Sequence, residues 1–192
     1  MPTNTQHITP SELKDMLPQK PERMNTVPEP KRHELIQITY GIIGCLQEVH
    51  NQLGPGLPEY IYQEALATEL AANGFTAHKE LQFHPTFRGK PMDAYLKMDL
   101  YGTPSVNRTK CLRWGERDHP STPYQNEILV HVSRIDHAKC KALTQLTERE
   151  HYQTFGYLRA TGWPVALLVN FGTSPKARIE RYYNDHGTIC VF

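Results

Sequence analysis

The apolar run at residues 165–171 constrains the fold of this chain more than any other stretch of its sequence. It reads VALLVNF, with a single polar residue, Asn170, near its end. A nearly continuous apolar run of this length is typical of a β-strand that is buried on both of its faces. Two helices, several strands and a third helix are predicted to precede it, and this order indicates a mixed α/β layer fold.

Three helices are predicted from apolar spacing and from end signals. The second begins at Pro58 and ends at Asn73-Gly74. The third begins at Thr147, which forms a capping box with Glu150, and it ends at Gly162. The first ends at Gly54 and carries apolar residues at spacings of three and four: Leu35, Ile38, Ile42, Leu46, Val49 and Leu53. The apolar stripe of the second is expected to contain Ile61, Ala65, Leu66 and Leu70.

Strands are predicted in three further segments. Residues 75–87 form a broken run of aromatic and β-tolerant residues that leads into a turn at 88–90. Residues 95–100 (YLKMDL) alternate, which places Tyr95, Lys97 and Asp99 on one face of their strand. Residues 128–132 (ILVHV) read as another strand, whereas residues 102–127 are turn-rich.

Composition and charge divide the chain and exclude several classes of protein. Residues 1–32 hold six of the 15 prolines, which predicts a flexible tail followed by one domain over 33–192. The net charge of +1 excludes a strongly basic nucleic-acid coat protein but leaves a local basic groove open. No apolar run approaches the ~18–20 residues that span a bilayer, so no membrane partner is expected. Scattered cysteines and the lack of a signal-peptide pattern predict a cytoplasmic protein.

Four polar residues are candidates for chemistry, and each also has a structural explanation. Glu59 lies in the first turn of the second helix, where a carboxylate complements the helix dipole. Asp99 is unusual inside a strand and lies either at a solvated edge or in a cleft as a metal ligand. Lys139 and Lys141 would share one face of a strand, either in solvent or near a phosphate.

The third helix carries a further candidate pair, Gln153 and Tyr157, which are four residues apart and so share a face. Polar–aromatic pairs at this spacing are common by chance. The sequence has no G-x-S-x-G elbow and no Walker or Rossmann glycine loop, which excludes those enzyme classes. Its ten histidines form no H-x-x-x-H or H-E-x-x-H pattern, so most of them are expected to be structural or at the surface.

Residues 56–62, at the start of the second predicted helix, form a recognisable motif. They read GLPEYIY, which is G-x-x-E-x-x-Y, and QEAL follows directly. This segment closely resembles the GxxExxY protein family, a branch of the PD-(D/E)xK nuclease-like superfamily. The resemblance continues in YLKMDL at 95–100 and in the stretch from CKALTQ to LLVNFG at 140–172. It covers residues 33–101 and 139–183 in total.

The resemblance implies a restriction-endonuclease-like α/β core, with a central mixed sheet flanked by helices. It implies that Asp99 and Glu59 hold Mg²⁺ and that Lys141 is the lysine of the family's E-x-K strand. Gln153 and Tyr157 match the Q-x-x-x-Y pair near the site. The implied activity is metal-dependent hydrolysis of phosphodiester bonds in DNA, or in another nucleic acid, because a divalent cation activates water and neutralises phosphate charge.

The sequence departs from the family pattern in two places. Lys139 stands where an acid should precede Lys141, which replaces a ligand by a like charge and is expected to weaken or abolish Mg²⁺ binding. Residues 102–138 resemble nothing in the family, so they are interpreted as an atypical segment that is either inserted or frame-shifted. If the strand at 128–132 is aligned instead, His131 and Ser133 occupy the positions of the acid and the lysine.

Three functional interpretations therefore stay open. The first is an active Mg²⁺-dependent nuclease that uses Asp99, Glu59 and Lys141. The second is a degenerate member that binds nucleic acid, or no ligand at all, and does not cleave. The third is a protein-interaction module built on the nuclease fold.

Overall fold

The computed structural model describes residues 24–104, 128–132 and 145–192 of the 192-residue chain. These ranges contain three helices and eight strands. The helices are α1 (Lys31–Leu53), α2 (Glu59–Ala72) and α3 (Glu148–Thr161). The strands are β1 (Phe75–Phe83), β2 (Thr86–Phe87), β3 (Lys90–Pro91), β4 (Leu96–Pro104), β5 (Ile128–Val132), β6 (Val165–Asn170), β7 (Arg178–Asp185) and β8 (Thr188–Val191).

Six of these strands form one sheet in the order β1-β4-β5-β6-β7-β8. Strands β5 and β6 run parallel, and α3 lies between them in the sequence. The other neighbours in the sheet are antiparallel, and β2 and β3 form a separate hairpin. This architecture confirms the predicted α/β fold with a central mixed sheet. It also places β5 between β4, which carries Asp99, and β6.

Strand β6 lies at the centre of the fold, and all six of its residues are buried. Val165, Leu167 and Val169 pack in the core cluster that contains α1 and α2, whereas Ala166 and Leu168 pack in the cluster that contains α3. Because successive side chains of a strand point to opposite faces, the two helix layers cover opposite sides of the sheet. The apolar run at 165–171 is therefore a doubly covered strand, as predicted.

The helices begin and end close to the predicted residues, but α2 presents a different stripe to the core. Gly54, with φ +66°, ends α1 in a conformation that favours glycine. In α2 the fully buried residues are Tyr62, Leu66 and Leu70, whereas Ile61 and Ala65, which were expected in the stripe, are only half-buried. The stripe rotates towards Tyr62 because the Tyr62 hydroxyl finds hydrogen-bond partners inside the protein.

Strands β7 and β8 were not predicted, and they complete the sheet at its C-terminal edge. Residues 24–27 pack beside β8: the Val27 N–H donates to the Val191 carbonyl (2.9 Å), and the Val191 N–H donates to the Asn25 carbonyl (3.0 Å). The packed part of the chain thus includes residues that lie inside the stretch expected to be a tail. Phe192 is buried in the same cluster as α1 and α2. No helix in the described part of the chain is long and apolar enough to cross a membrane.

Candidate functional site

The Gln153–Tyr157 pair connects α3 to the strand that carries Asp99. The Gln153 Nε2 donates to the Tyr157 hydroxyl at 2.5 Å, and that hydroxyl donates to the Lys97 carbonyl at 2.9 Å. Tyr157 is buried whereas Gln153 is exposed, so the pair reaches from the core to the surface. Since Lys97 precedes Asp99 by two residues on β4, α3 is fixed next to this part of the strand.

His131 on β5 lies beneath the same helix, with only 4% of its surface exposed. Its Nδ1 is 2.8 Å from the Thr154 hydroxyl oxygen, and that hydroxyl is 2.8 Å from the Glu150 carbonyl. A carbonyl only accepts, so the single hydroxyl proton of Thr154 goes to Glu150 and the His131 Nδ1–H donates to Thr154. The Tyr157 ring meets the imidazole edge-on at a centroid distance of 5.7 Å.

These surroundings keep His131 neutral. Burial lowers the pKa of His131 to about 4, and the smaller effect of the Glu150 carboxylate in the opposite direction does not reverse it. A neutral imidazole offers a nitrogen ligand, which suits zinc and other transition metals, whereas Mg²⁺ prefers oxygen ligands. Among the side chains that the structure describes, no group of three His, Cys, Asp or Glu residues is placed to hold a metal ion.

The G-x-x-E-x-x-Y motif at the start of α2 contains a structural tyrosine. The Tyr62 hydroxyl donates to the Gly54 carbonyl (2.7 Å) and accepts from the Leu57 N–H (3.0 Å), which closes the link between α1 and α2. Its ring stacks on Phe171 with a centroid distance of 4.4 Å. Tyr62 therefore positions the N-terminus of α2.

Glu59 is the first residue of α2, and its Oε1 accepts from the Gln63 Nε2 at 2.7 Å. It lies on a helix that packs against the face of the sheet opposite to α3. The site residues predicted from the sequence thus fall into two groups: Gln153 and Tyr157 join the strand of Asp99 from one side, and Glu59 belongs to the layer on the other side.

Four further residues named in the sequence analysis lie partly or wholly outside the described part of the structure. The backbone of Asp99 lies in β4, but its side chain is outside the described part of the structure. Lys139 and Lys141 lie outside the described residues, as do Ser133 and most of the stretch at 102–138.

A second buried histidine, His151, lies at the N-terminal end of α3; it is one of the ten histidines of which most were expected to be structural or at the surface. Its Nδ1 is 2.7 Å from the Thr147 carbonyl and its Nε2 is 2.7 Å from the Glu180 carboxylate. Both partners only accept, so both ring nitrogens donate and the imidazole is charged. The signal available in the sequence was the unusually polar start of β7, which reads RIER at 178–181.

The hydrogen-bond partners of His151 and Glu180 stabilise the charged forms of both side chains. Burial opposes the charged form, but the hydrogen bonds and charges of Glu180, with those of Thr147 and Glu150, outweigh it and raise the pKa of His151. Burial also opposes the Glu180 carboxylate, but hydrogen bonds from His151 and Tyr182 and nearby cations lower its pKa to about 2. Arg178 completes the cluster, with its Nη2 2.7 Å from the Glu180 Oε1. This network fixes the N-terminus of α3 to β7.

Comparison with known proteins identifies the fold family. A family model described as the PD-(D/E)XK nuclease superfamily matches residues 36–109 and 118–182, which is more than two thirds of the chain. The chain belongs to the PD-(D/E)XK nuclease superfamily. No curated protein and no solved structure matches it.

The extent of the superfamily match changes the interpretation of the central segment. Residues 102–138 were expected to resemble nothing in the family, yet the match leaves only 110–117 uncovered between its two parts. It includes all of β5, which pairs with β4 on one side and β6 on the other. Strand β5 is thus an integral part of the nuclease-like sheet.

Proposed function

We propose that this protein is a catalytically degenerate member of the superfamily, which binds nucleic acid without cleaving it in a Mg²⁺-dependent reaction. The observation that supports this most directly is His131. It lies on the strand next to that of Asp99, and it is buried, neutral and hydrogen-bonded to α3.

The position of β5 makes it our candidate for the strand on which active members carry E-x-K. It lies inside the superfamily match and between β4 and β6. On this alignment His131 replaces the acid, and Ser133, two residues further along the sequence, replaces the lysine. A neutral ring in place of a carboxylate removes on the order of several kcal/mol of attraction for a divalent cation. The alternative alignment, with Lys139 and Lys141, also lacks the acid.

Helix α3 carries an exposed side chain suited to phosphate, Gln153, next to Thr154, the partner of His131. A carboxamide carries two N–H donors, and the exposed Gln153 side chain uses one of them for Tyr157. The superfamily assignment makes nucleic acid the expected ligand. We also propose, on the motif at 56–62, that the chain belongs to the GxxExxY branch, and, on its free buried cysteines Cys45 and Cys190, that it is cytoplasmic.

The decisive experiment compares the wild type with a variant in which the acid and the lysine of the E-x-K strand are restored. Fluorescence anisotropy in EDTA measures binding of the full chain to labelled single-stranded and duplex DNA. Calorimetry and gel assays then measure Mg²⁺ binding and cleavage for the wild type and for the double variant His131→Glu/Ser133→Lys. We expect the wild type to bind DNA without cutting it and the double variant to gain Mg²⁺ binding. The matched control is His131→Gln/Ser133→Lys, which adds the lysine without the acid.

Hydrolysis by the wild type would contradict this proposal. Cleavage in Mg²⁺ that disappears in Asp99→Asn and in Lys141→Ala would instead support the catalytic set Glu59, Asp99, Lys141, Gln153 and Tyr157. Since His131→Glu places a carboxylate in a buried site, near-ultraviolet circular dichroism checks that the variant folds. If it does not fold, the wild-type assays alone decide: binding without cleavage supports the proposal, and an absence of nucleic-acid binding overturns it.

A further inference from the structure

The β2–β3 hairpin and the residues next to it, 84–97, form an exposed surface that is both aromatic and basic, and we call it the hairpin surface. Phe87, Met92 and Tyr95 are 64%, 40% and 52% exposed, and they are three of the five large apolar side chains most exposed in the described part of the chain. Large exposed apolar side chains that lie together mark an interaction site more often than isolated ones do.

The charge of the hairpin surface is distinct from that of the whole protein. Residues 84–97 contain Arg88, Lys90 and Lys97 against a single carboxylate, Asp93. This stretch therefore carries +2, although the complete chain carries only +1. The Arg88 guanidinium lies over the Phe87 ring, 5.3 Å from its centroid. The surface thus presents two exposed aromatic rings, and one of them, Phe87, has a cation over one of its faces.

The hairpin surface is held in one conformation by its own hydrogen bonds. The His84 Nδ1–H donates to the Met92 carbonyl at 3.0 Å, and the Met92 N–H donates to the Pro85 carbonyl at 2.9 Å. The central turn has positive φ at both Arg88 (+50°) and Gly89 (+76°), which matches the tight hairpin turn that suits strand twist. The Tyr95 ring packs against His84 at a centroid distance of 5.8 Å. A preformed surface binds with less loss of conformational entropy.

The hairpin surface is connected through the chain to the candidate site around Gln153 and Tyr157. Strand β4 begins directly after Tyr95, and the Lys97 carbonyl accepts the hydrogen bond from Tyr157. The hairpin surface therefore continues directly into the strand that bonds the Gln153–Tyr157 pair.

We infer that the hairpin surface binds single-stranded nucleic acid, with bases stacked on Phe87 and Tyr95 and phosphates beside Arg88 and Lys90. Unpaired bases expose the flat faces that aromatic side chains need for stacking, whereas the bases of a duplex are already stacked on each other. The cations match the charge of the phosphates. This inference rests on the proposed function and adds the strand type and the contact surface.

Fluorescence anisotropy tests this inference. The full chain is titrated with a labelled dT12 strand and with a 12-base-pair duplex, each at several salt concentrations. Stacking on an aromatic side chain is worth ~1–3 kcal/mol per base, so Phe87→Ala and Tyr95→Ala are each expected to weaken dT12 binding by roughly 5- to 150-fold. The logarithm of the binding constant falls linearly with the logarithm of the salt concentration, and Arg88→Gln and Lys90→Gln should each make this slope less steep by about 0.7. The control is Tyr40→Ala, which removes an aromatic ring of 75% exposure from α1, far from the hairpin in sequence.

The outcomes separate the two proposals. If the wild type binds dT12 and the hairpin variants bind as well as Tyr40→Ala does, the hairpin inference is wrong and the proposed function stands. If the wild type binds neither oligonucleotide, both are wrong. Preference for the duplex overturns the single-strand assignment. Binding to anionic phospholipid vesicles through Phe87, with no effect of Phe87→Ala on dT12, would make the surface a lipid-binding one and overturn the inference.

Discussion

Helix α3 covers two buried histidines that are held in opposite charge states. His131 is 4% exposed and His151 is 8% exposed, and burial is the largest single effect on the pKa of each. His131 donates to a hydroxyl that already gives its proton to a carbonyl, and its pKa falls to about 4. His151 lies between a carbonyl and the carboxylate of Glu180, and its pKa is raised.

At both histidines burial opposes the charged form of the imidazole, and only at His151 do the hydrogen-bond partners outweigh it. A hydroxyl satisfies one N–H without compensating a charge, so desolvation dominates at His131. A carboxylate compensates the charge directly, so desolvation is overcome at His151. One end of α3 is therefore fixed by an ion pair, and its middle covers a neutral ring next to the candidate site.

Removal of the carboxylate beside His151 should have the largest effect. In Glu180→Gln the buried imidazole loses its counter-charge, and we expect the free energy of unfolding at pH 6 to fall by about 3 kcal/mol in urea denaturation. The matched control is Arg178→Gln, because the Arg178 side chain is 50% exposed and its pairing with Glu180 should be worth less than about 1 kcal/mol. Equal losses in the two variants would show that the buried pair does not stabilise α3.

Acidification tests the neutral histidine. The pKa of His131 is about 4 in the folded protein and about 6.5 in the unfolded chain, so the unfolded state binds more protons between these values. Stability should therefore be lost as the pH falls below 6.5, by about 2 kcal/mol between pH 6.5 and 4.5. Urea denaturation at each pH measures this loss of stability, and in His131→Asn the loss between pH 6.5 and 4.5 should be absent. His186→Asn is the control, since that side chain is 99% exposed, and the same flattening there would contradict the assignment.

Alkaline conditions test the charged histidine and should give the smallest effect. The folded pKa of His151 lies above its unfolded value, so its contribution to stability is complete below pH 6.5 and is lost as the pH rises through the folded pKa. The loss is limited because Glu180 keeps Arg178 and Tyr182 as partners. Melting temperatures between pH 6 and 9 should decline less in His151→Gln than in the wild type. The exposed His33→Gln serves as control, and an unchanged decline in His151→Gln would refute the assignment.

Local signals in the sequence were sufficient for most of the core elements. The run at 165–171, the spacing of Leu35 to Val49 and the Thr147–Glu150 capping box each describe interactions between near neighbours in the chain, and the structure contains all three elements. Strand β7 was missed because polar and apolar residues are mixed along it, and its start carries Arg178 and Glu180 of the His151 network.

At the candidate site, too, some features follow from the local sequence and others only from the tertiary structure. The sequence by itself determined that Gln153 and Tyr157 share a helix face and that a helix begins within residues 56–62, because both follow from spacing along the chain. The resemblance of the same motif to a nuclease-like family was also visible in the sequence alone. Only the tertiary structure decided that β5 lies between β4 and β6, that Tyr62 closes a loop and that His131 is neutral while His151 is charged. The charge of an imidazole depends on the groups that folding brings to it, and those groups are distant in the chain: Glu180 is 29 residues from His151, and Thr154 is 23 residues from His131.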